Sequence, residues 1–155
     1  MESLKWEILD FLDAELLIVR TLDVLIFLDH NKRVIKSFLD LEVYKESFKL
    51  SIEIEELLKS YPPSEKFLLV DQMRRASRSI SAQIAEGYAR RESIKDFQRY
   101  MRDCVGEANE MMNHLLLSKH KQYIKKPGYA DNLVERYTTL GKKLTNLKNN
   151  WQNFK

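Results

Sequence analysis

The stretch QMRRASRSISAQIAEGYARR, residues 72–91, holds Arg74, Arg75, Arg78, Arg90 and Arg91. A guanidinium stays charged at any physiological pH and offers phosphate oxygens a planar fork of donors, so arginines along a helix flank are suited to gripping a polyanion. Lys95, Arg99 and Arg102 extend the set, and Lys125 and Lys126 lie near Tyr123 and Tyr129, a mix of cations and rings that stacks on single-stranded bases. The same side chains have quieter uses. Asp71, Glu86 and Asp103 stand four residues from Arg75, Arg90 and Arg99, spacings for intrahelical ion pairs worth a few tenths of a kcal/mol. Arginines also bridge subunits, and the two tyrosines also serve to close a bundle end. Nucleic acid, a protein partner and an inter-subunit role all stay open.

Catalytic chemistry finds no comparable grouping. A di-iron bundle needs glutamates from four helices and two Glu-x-x-His pairs, whereas the histidines are His30, His114 and His120. Glu110 and His114 sit at i, i+4 on what reads as the outer side of a helix, a solvated pair rather than a ligand set. Gly-rich phosphate loops, nucleophile elbows and Cys/His metal spacings are missing from the sequence. The expectation is a protein without catalysis, metal or cofactor.

Charge is uneven. The blocks 1–40, 41–70, 71–103, 104–116 and 117–155 carry −3, −2, +3, −2 and +7, within a net of +3. In the last block Lys119, Lys121, Arg136, Lys142, Lys143 and Lys148 add to Lys125 and Lys126. Such asymmetry fits a polyanionic partner or an acidic protein surface. Cys104 stands alone, so no internal disulfide forms, and its place in an apolar stripe makes it a small buried hydrophobe. The apolar run Leu16 to Leu28 is interrupted by Arg20 and Asp23 and is shorter than the ~20 residues of a membrane span. A cytoplasmic protein without a membrane segment is expected.

Periodicity supplies the elements that position these groups. With four glycines and three prolines in 155 residues, long helices are favoured. A noisy stripe, Tyr44, Phe48, Ile52, Ile54, Leu57 and Leu58, ends at Pro62 and Pro63. Ser64 is placed to cap a second helix with the stripe Leu69, Met73, Ala76, Ile80, Ile84 and Gly87, the glycine suiting a C-terminal cap. Ser93 and Asp96 have the form of a capping box before Phe97, Met101, Cys104, Ala108, Met111 and Leu115. After Pro127 and Gly128 come Leu133, Tyr137, Leu140, Leu144, Leu147 and Trp151. The spacing predicts an all-α protein: an antiparallel up-and-down four-helix bundle over residues 38–155, with an additional N-terminal helical segment, residues 1–37, marked by Leu9, Leu12, Leu16, Val19, Leu22 and Ile26.

On helical wheels none of the arginines falls on a core stripe, and Arg78 and Arg102 come out level across the antiparallel second and third helices. Ser79, Ala82 and Glu86 fall opposite the second helix's core stripe, where short side chains admit another helix and mark an oligomer interface.

Three segments, FLDLEVYKESFKLS, DQMRRASRSISAQIAEGYARRES and DFQRYMRDCVGEANEMMNHLLLSKHKQYI, resemble the four-helix bundle proteins encoded in intervening sequences of bacterial 23S rRNA genes. The resemblance runs from about Phe38 to Ile124, with Gln72 to Ala76, Ser79-Ile80 and Ile84 to Gly87 as its core; Glu107 stands where the family usually has a small serine after Gly106. It implies a bundle that associates into a closed ring, usually a pentamer. A branch, the accessory variability proteins of diversity-generating retroelements, is similar in its basic bundle and binds a reverse transcriptase and nucleic acid. The implied function is a homo-oligomeric bundle that takes RNA or single-stranded DNA on a basic surface; the alternative is a protein-interaction scaffold with no nucleic-acid role.

Overall fold

Ser37 opens the bundle with a reciprocal cap. Its hydroxyl accepts from the Leu39 amide, and the Asp40 carboxylate accepts from the amides of Ser37 and Lys36 at 2.9 Å each, turning Phe38–Asp40 into a 3-10 turn. These amides hold the Asp40 carboxyl below its usual range. The computed structural model describes residues 35–154. The N-terminal stripe from Leu9 to Ile26, and His30, lie outside them.

Four helices follow: α1 Glu42–Leu58, α2 Leu69–Ala89, α3 Ile94–His120 and α4 Tyr129–Asn150. Each packs on its chain neighbour, α3 most heavily on α2 and α4, while α1 and α4 touch lightly to close the square. Among the described residues the protein is an all-α up-and-down bundle, as the periodicity predicts.

The seams of α3 and α4 are those read from the sequence. Phe97, Met101, Cys104, Ala108, Met111 and Leu115 interlock with Leu133, Tyr137, Leu140 and Leu144 out of contact with water. Trp151 closes one end, stacked on Phe97 at 4.2 Å and edge-on to Tyr88 at 6.1 Å. Cys104 is the buried hydrophobe expected, and burial pushes its thiol up to about 12.

Helix α1 is phased differently from its predicted stripe. The buried residues are Val43, Ser47, Leu50, Ser51, Ile54 and Leu58, while Phe48 and Ile52 face outward. Ser47 and Ser51 enter the core because their hydroxyls donate to the Tyr44 and Phe48 carbonyls at 2.9 and 2.8 Å, which hides the polar atom within the helix. The bulkier Phe48 and Ile52 mislead a reading by hydrophobicity.

Local signals at the helix ends also need correction. Ser64 does not cap α2; it lies within the 3-10 turn Pro63–Glu65, and α2 starts at Leu69 with the Glu65 carboxylate accepting from the Leu69 amide at 3.4 Å. Gly87 is not a C-terminal cap but a buried residue inside α2, which runs on to Ala89. Of the expected Ser93–Asp96 box, the Ser93 half is present, its hydroxyl accepting from the Asp96 amide at 3.3 Å. At the far end of α3, Gln122 takes a left-handed φ of 58°; the Tyr123 amide reaches the Ser118 carbonyl and the Gln122 amide the Lys119 carbonyl. That is a Schellman stop with glutamine in glycine's place.

Candidate functional site

The ten cations singled out in the sequence do not form one free surface. Arg74 and Arg78 both turn across α2 onto Glu55 of α1, at 3.2 and 2.8 Å. Arg75 holds Asp71 and Arg90 holds Glu86, both at 3.3 Å, the intrahelical pairs expected from spacing. The third expected pair, Arg99 with Asp103, is not made; Arg99 lies 5.2 Å over the Tyr100 ring instead. Arg91 sits 4.1 Å over Tyr88 and donates to the Tyr88 carbonyl, and Lys126 stands 5.4 Å from the centre of Tyr129. Among the described residues Lys95, Arg102 and Lys125 are exposed and without a carboxylate partner.

Arg78 and Arg102 are not level. Ser79 meets Glu107 at 3.1 Å and Glu86 meets Tyr100 at 2.6 Å across α2 and α3, which sets Arg78 opposite Ala108 and displaces Arg102 along the axis by about 9 Å at 1.5 Å per residue. Arg78 faces α1 while Arg102 faces solvent on α3, so the flank they were to share does not exist. The wheel gave each residue's phase on its own helix but not the register between helices.

Among the described residues, part of the basic charge of the last block is paired within the bundle. Glu53 takes Arg136 at 2.7 Å and the Tyr129 hydroxyl at 2.7 Å, Lys143 bonds both Glu42 and Glu46, and Lys119 bonds Asp131 at 2.6 Å. At the end formed by the α1–α2 and α3–α4 connections, Glu65 is buried and accepts from Lys121 and from the Tyr123 hydroxyl, each at 2.8 Å. Lys121 and Tyr123 hold the Glu65 carboxyl below its usual range, and Glu65 in turn raises both. Tyr61 packs on Tyr123 at 5.4 Å. Tyr123 and Tyr129 are therefore half-buried and tied to carboxylates, closing the bundle rather than offering free rings; desolvation and Glu53 push Tyr129 up to about 12.

Ser79 and Glu86 work inside the chain. Ser79 donates to Glu107 and accepts from Gln83 at 2.6 Å, while Glu86 takes Tyr100 and Arg90, so the helix approaching these positions is the chain's own α3. Ala82 is exposed. Glu110 and His114 do pair, at 3.2 Å, but the histidine is buried, not solvated. No cluster of three potential metal ligands occurs among the described residues, and no helix there is long and apolar enough to cross a membrane.

The surface that sequence reading missed lies on α1. Phe48 and Ile52 are 48% and 53% exposed, one turn apart, on the side that Glu55 turns toward α2. On α2, one and two turns beyond the Arg78 that Glu55 takes, the residues Ala82 and Ala85 are short. The signal was present in the two serines of α1, whose small size and self-satisfied hydroxyls compete for the core-facing positions.

Residues 39–146 match the model of the 23S rRNA-intervening sequence protein family. The chain belongs to that family. A crystal structure of a protein of unknown function from the S23 ribosomal protein family of Bacteroides thetaiotaomicron is similar, at 26% identity and a TM-score of 0.62, covering 69% of this chain and 95% of that one. None of the curated proteins matches the chain.

Proposed function

We propose that this protein is a non-catalytic assembly module, a bundle that works by docking on other protein chains and first of all on copies of itself. One observation carries the reading: Phe48 and Ile52 stand half-exposed on α1, whose neighbour α2 carries the short Ala82 and Ala85. Bulky apolar groups left half-exposed on a helix form a surface that gains free energy when another helix covers it. The family resemblance makes a closed ring, a pentamer, the proposed form. Light scattering coupled to size exclusion tests this: a mass of several chains at tens of micromolar is expected, and a single-chain mass at that concentration overturns it.

A second reading has its own support. Lys95, Arg99 and Arg102 crowd one outer flank of α3 with no carboxylate partner among the described residues. In a ring this modest charge repeats, and weak phosphate contacts add through effective concentration. That reading is sequence-tolerant binding of RNA or single-stranded DNA, in the service of a nucleic-acid enzyme such as a reverse transcriptase. A salt titration of binding to RNA, single-stranded DNA and duplex DNA decides it. Replacing Lys95, Arg99 and Arg102 with glutamine is expected to flatten the salt slope by about 0.7 to 0.9 for each phosphate that the variant no longer neutralises. Absence of binding at about 50 mM salt leaves the protein-interaction module alone.

A further inference from the structure

Phe67 and Leu68 are the most exposed large apolar side chains among the described residues, at 82% and 60%. They are neighbours in the α1–α2 connection, just before α2 begins at Leu69. Exposure of that degree means that both project from the end of the bundle rather than line a groove. A rigid partner would have to offer a matching hole, whereas a soft apolar surface closes around them without one.

Bonds on this end hold the loop that carries the pair. The Leu68 amide donates to the Glu65 carbonyl at 3.0 Å, and the Glu65 carboxylate takes Lys121 and Tyr123 of the α3–α4 connection. Tyr61 packs on the Tyr123 ring across the same join. The two connections are thus tied into one face of the bundle.

The free charge of that face has one sign. Residues 59–68 and 121–128 contain five lysines, Lys59, Lys66, Lys121, Lys125 and Lys126, and one acid, Glu65. Glu65 is buried, whereas Lys66, Lys125 and Lys126 are exposed and bonded to no carboxylate among the described residues. The acids on the adjoining terminal turns, Glu56, Asp71 and Asp131, are each taken by a cation, Lys59, Arg75 and Lys119. A projecting apolar pair beside unpaired lysines matches an anionic bilayer, whose acyl boundary takes the side chains and whose phosphates meet the ammonium groups. Single-stranded nucleic acid matches less well. Tyr123 and Tyr129, the other rings at this end, are half-buried and bonded to carboxylates, and an aliphatic Leu68 has no π-face for a base.

We infer that the end of the bundle formed by the two connections docks on anionic membrane surfaces, with Phe67 and Leu68 entering the interface and Lys66, Lys125 and Lys126 meeting headgroup phosphates. The test is cosedimentation of the full-length chain with sucrose-loaded vesicles of phosphatidylcholine alone or of equimolar phosphatidylcholine and phosphatidylglycerol, each variant being checked for native helicity by circular dichroism. The wild-type chain should bind the anionic vesicles and bind the neutral ones far more weakly. Phe67→Ser with Leu68→Ser should weaken that binding about tenfold or more. Lys125→Gln with Lys126→Gln should weaken it about fivefold for each lysine removed. Leu39→Ser, an exposed apolar side chain at the opposite end of the bundle, should leave it unchanged. Phe67→Ser alone takes the place of the double variant if that one loses its helicity. A wild-type chain that ignores the anionic vesicles overturns the inference, as does undiminished binding by the Phe67 variant or an equal loss in Leu39→Ser. If vesicles are ignored while the Phe67 variant loses affinity for single-stranded RNA, the face serves nucleic acid and the inference falls.

Discussion

Gly87 of α2 lies against Tyr100 of α3 so closely that a Cβ on the glycine would stand 2.8 Å from the Tyr100 Cβ and 3.0 Å from the Met101 methyl. The contact is backbone-adjacent on both sides, so neither helix yields without moving the other. Beside it the Tyr100 hydroxyl donates to Glu86 at 2.6 Å, locking the α2–α3 register at this level.

Gly87→Ala should therefore destabilise the bundle. Alanine's better helix propensity returns up to about 1 kcal/mol, while forcing a methyl into a filled contact costs about 1 to 3 kcal/mol. A net loss of about 1 kcal/mol or more in denaturant unfolding is expected. Gly106, inside α3 with nothing near its missing Cβ, is the control. Gly106→Ala should gain about 0.5 to 1 kcal/mol, and the two substitutions moving together would refute the close-approach account.

Glu55 is one carboxylate serving two guanidiniums, Arg74 and Arg78. Glu55→Gln should cost about 1 kcal/mol, the modest figure appropriate to partners that remain partly solvated. The variant also separates the two functional readings. If the bundle grips phosphate, freeing two arginines should tighten binding to RNA and steepen its salt dependence; a pure assembly module should change in stability alone.

Acid should loosen the end of the bundle where Glu65 joins Lys121 and Tyr123. A carboxyl held below its ordinary value of 4.5 in the folded chain adds stability that is complete above that value and is lost as the pH falls through the folded one. Asp40, depressed by two backbone amides, acts in the same direction. Thermal unfolding followed from pH 6 to pH 3 should therefore fall less steeply for Glu65→Gln than for wild type. Parallel curves for the two proteins would show that Glu65 is not part of the acid response.

Two left-handed residues give opposite expectations. Gln122 has φ 58° in the stop of α3, where glycine is the unstrained choice, so Gln122→Gly should raise stability by a few tenths up to about 1 kcal/mol. Gly128 has φ 72° at the start of α4, and Gly128→Ala should lower it by about 1 kcal/mol. Thermal melts of the pair check both signs at once.

Among the described residues, the all-α character, the four helices and the seams of α3 and α4 follow from the chain alone, because a heptad-like spacing of Phe97 to Leu115 or Leu133 to Leu147 allows one face per helix to be buried. Family membership was legible for a similar reason, in short runs such as Gln72 to Ala76. The phase of α1 was not: Ser47 and Ser51 look polar in a sequence and become core residues only when the i−3 carbonyls of their own helix take their hydroxyls. The fate of the arginines was not legible either. Whether Arg78 faces solvent or Glu55 depends on the axial register and rotation of two helices against each other, set by contacts as distant in sequence as Ser79 with Glu107 and Gly87 with Tyr100. Periodicity encodes each helix's face through its own i, i+4 geometry; it carries no term for the neighbour's height, and that height decides which charges are spent inside the bundle and which are left for a partner.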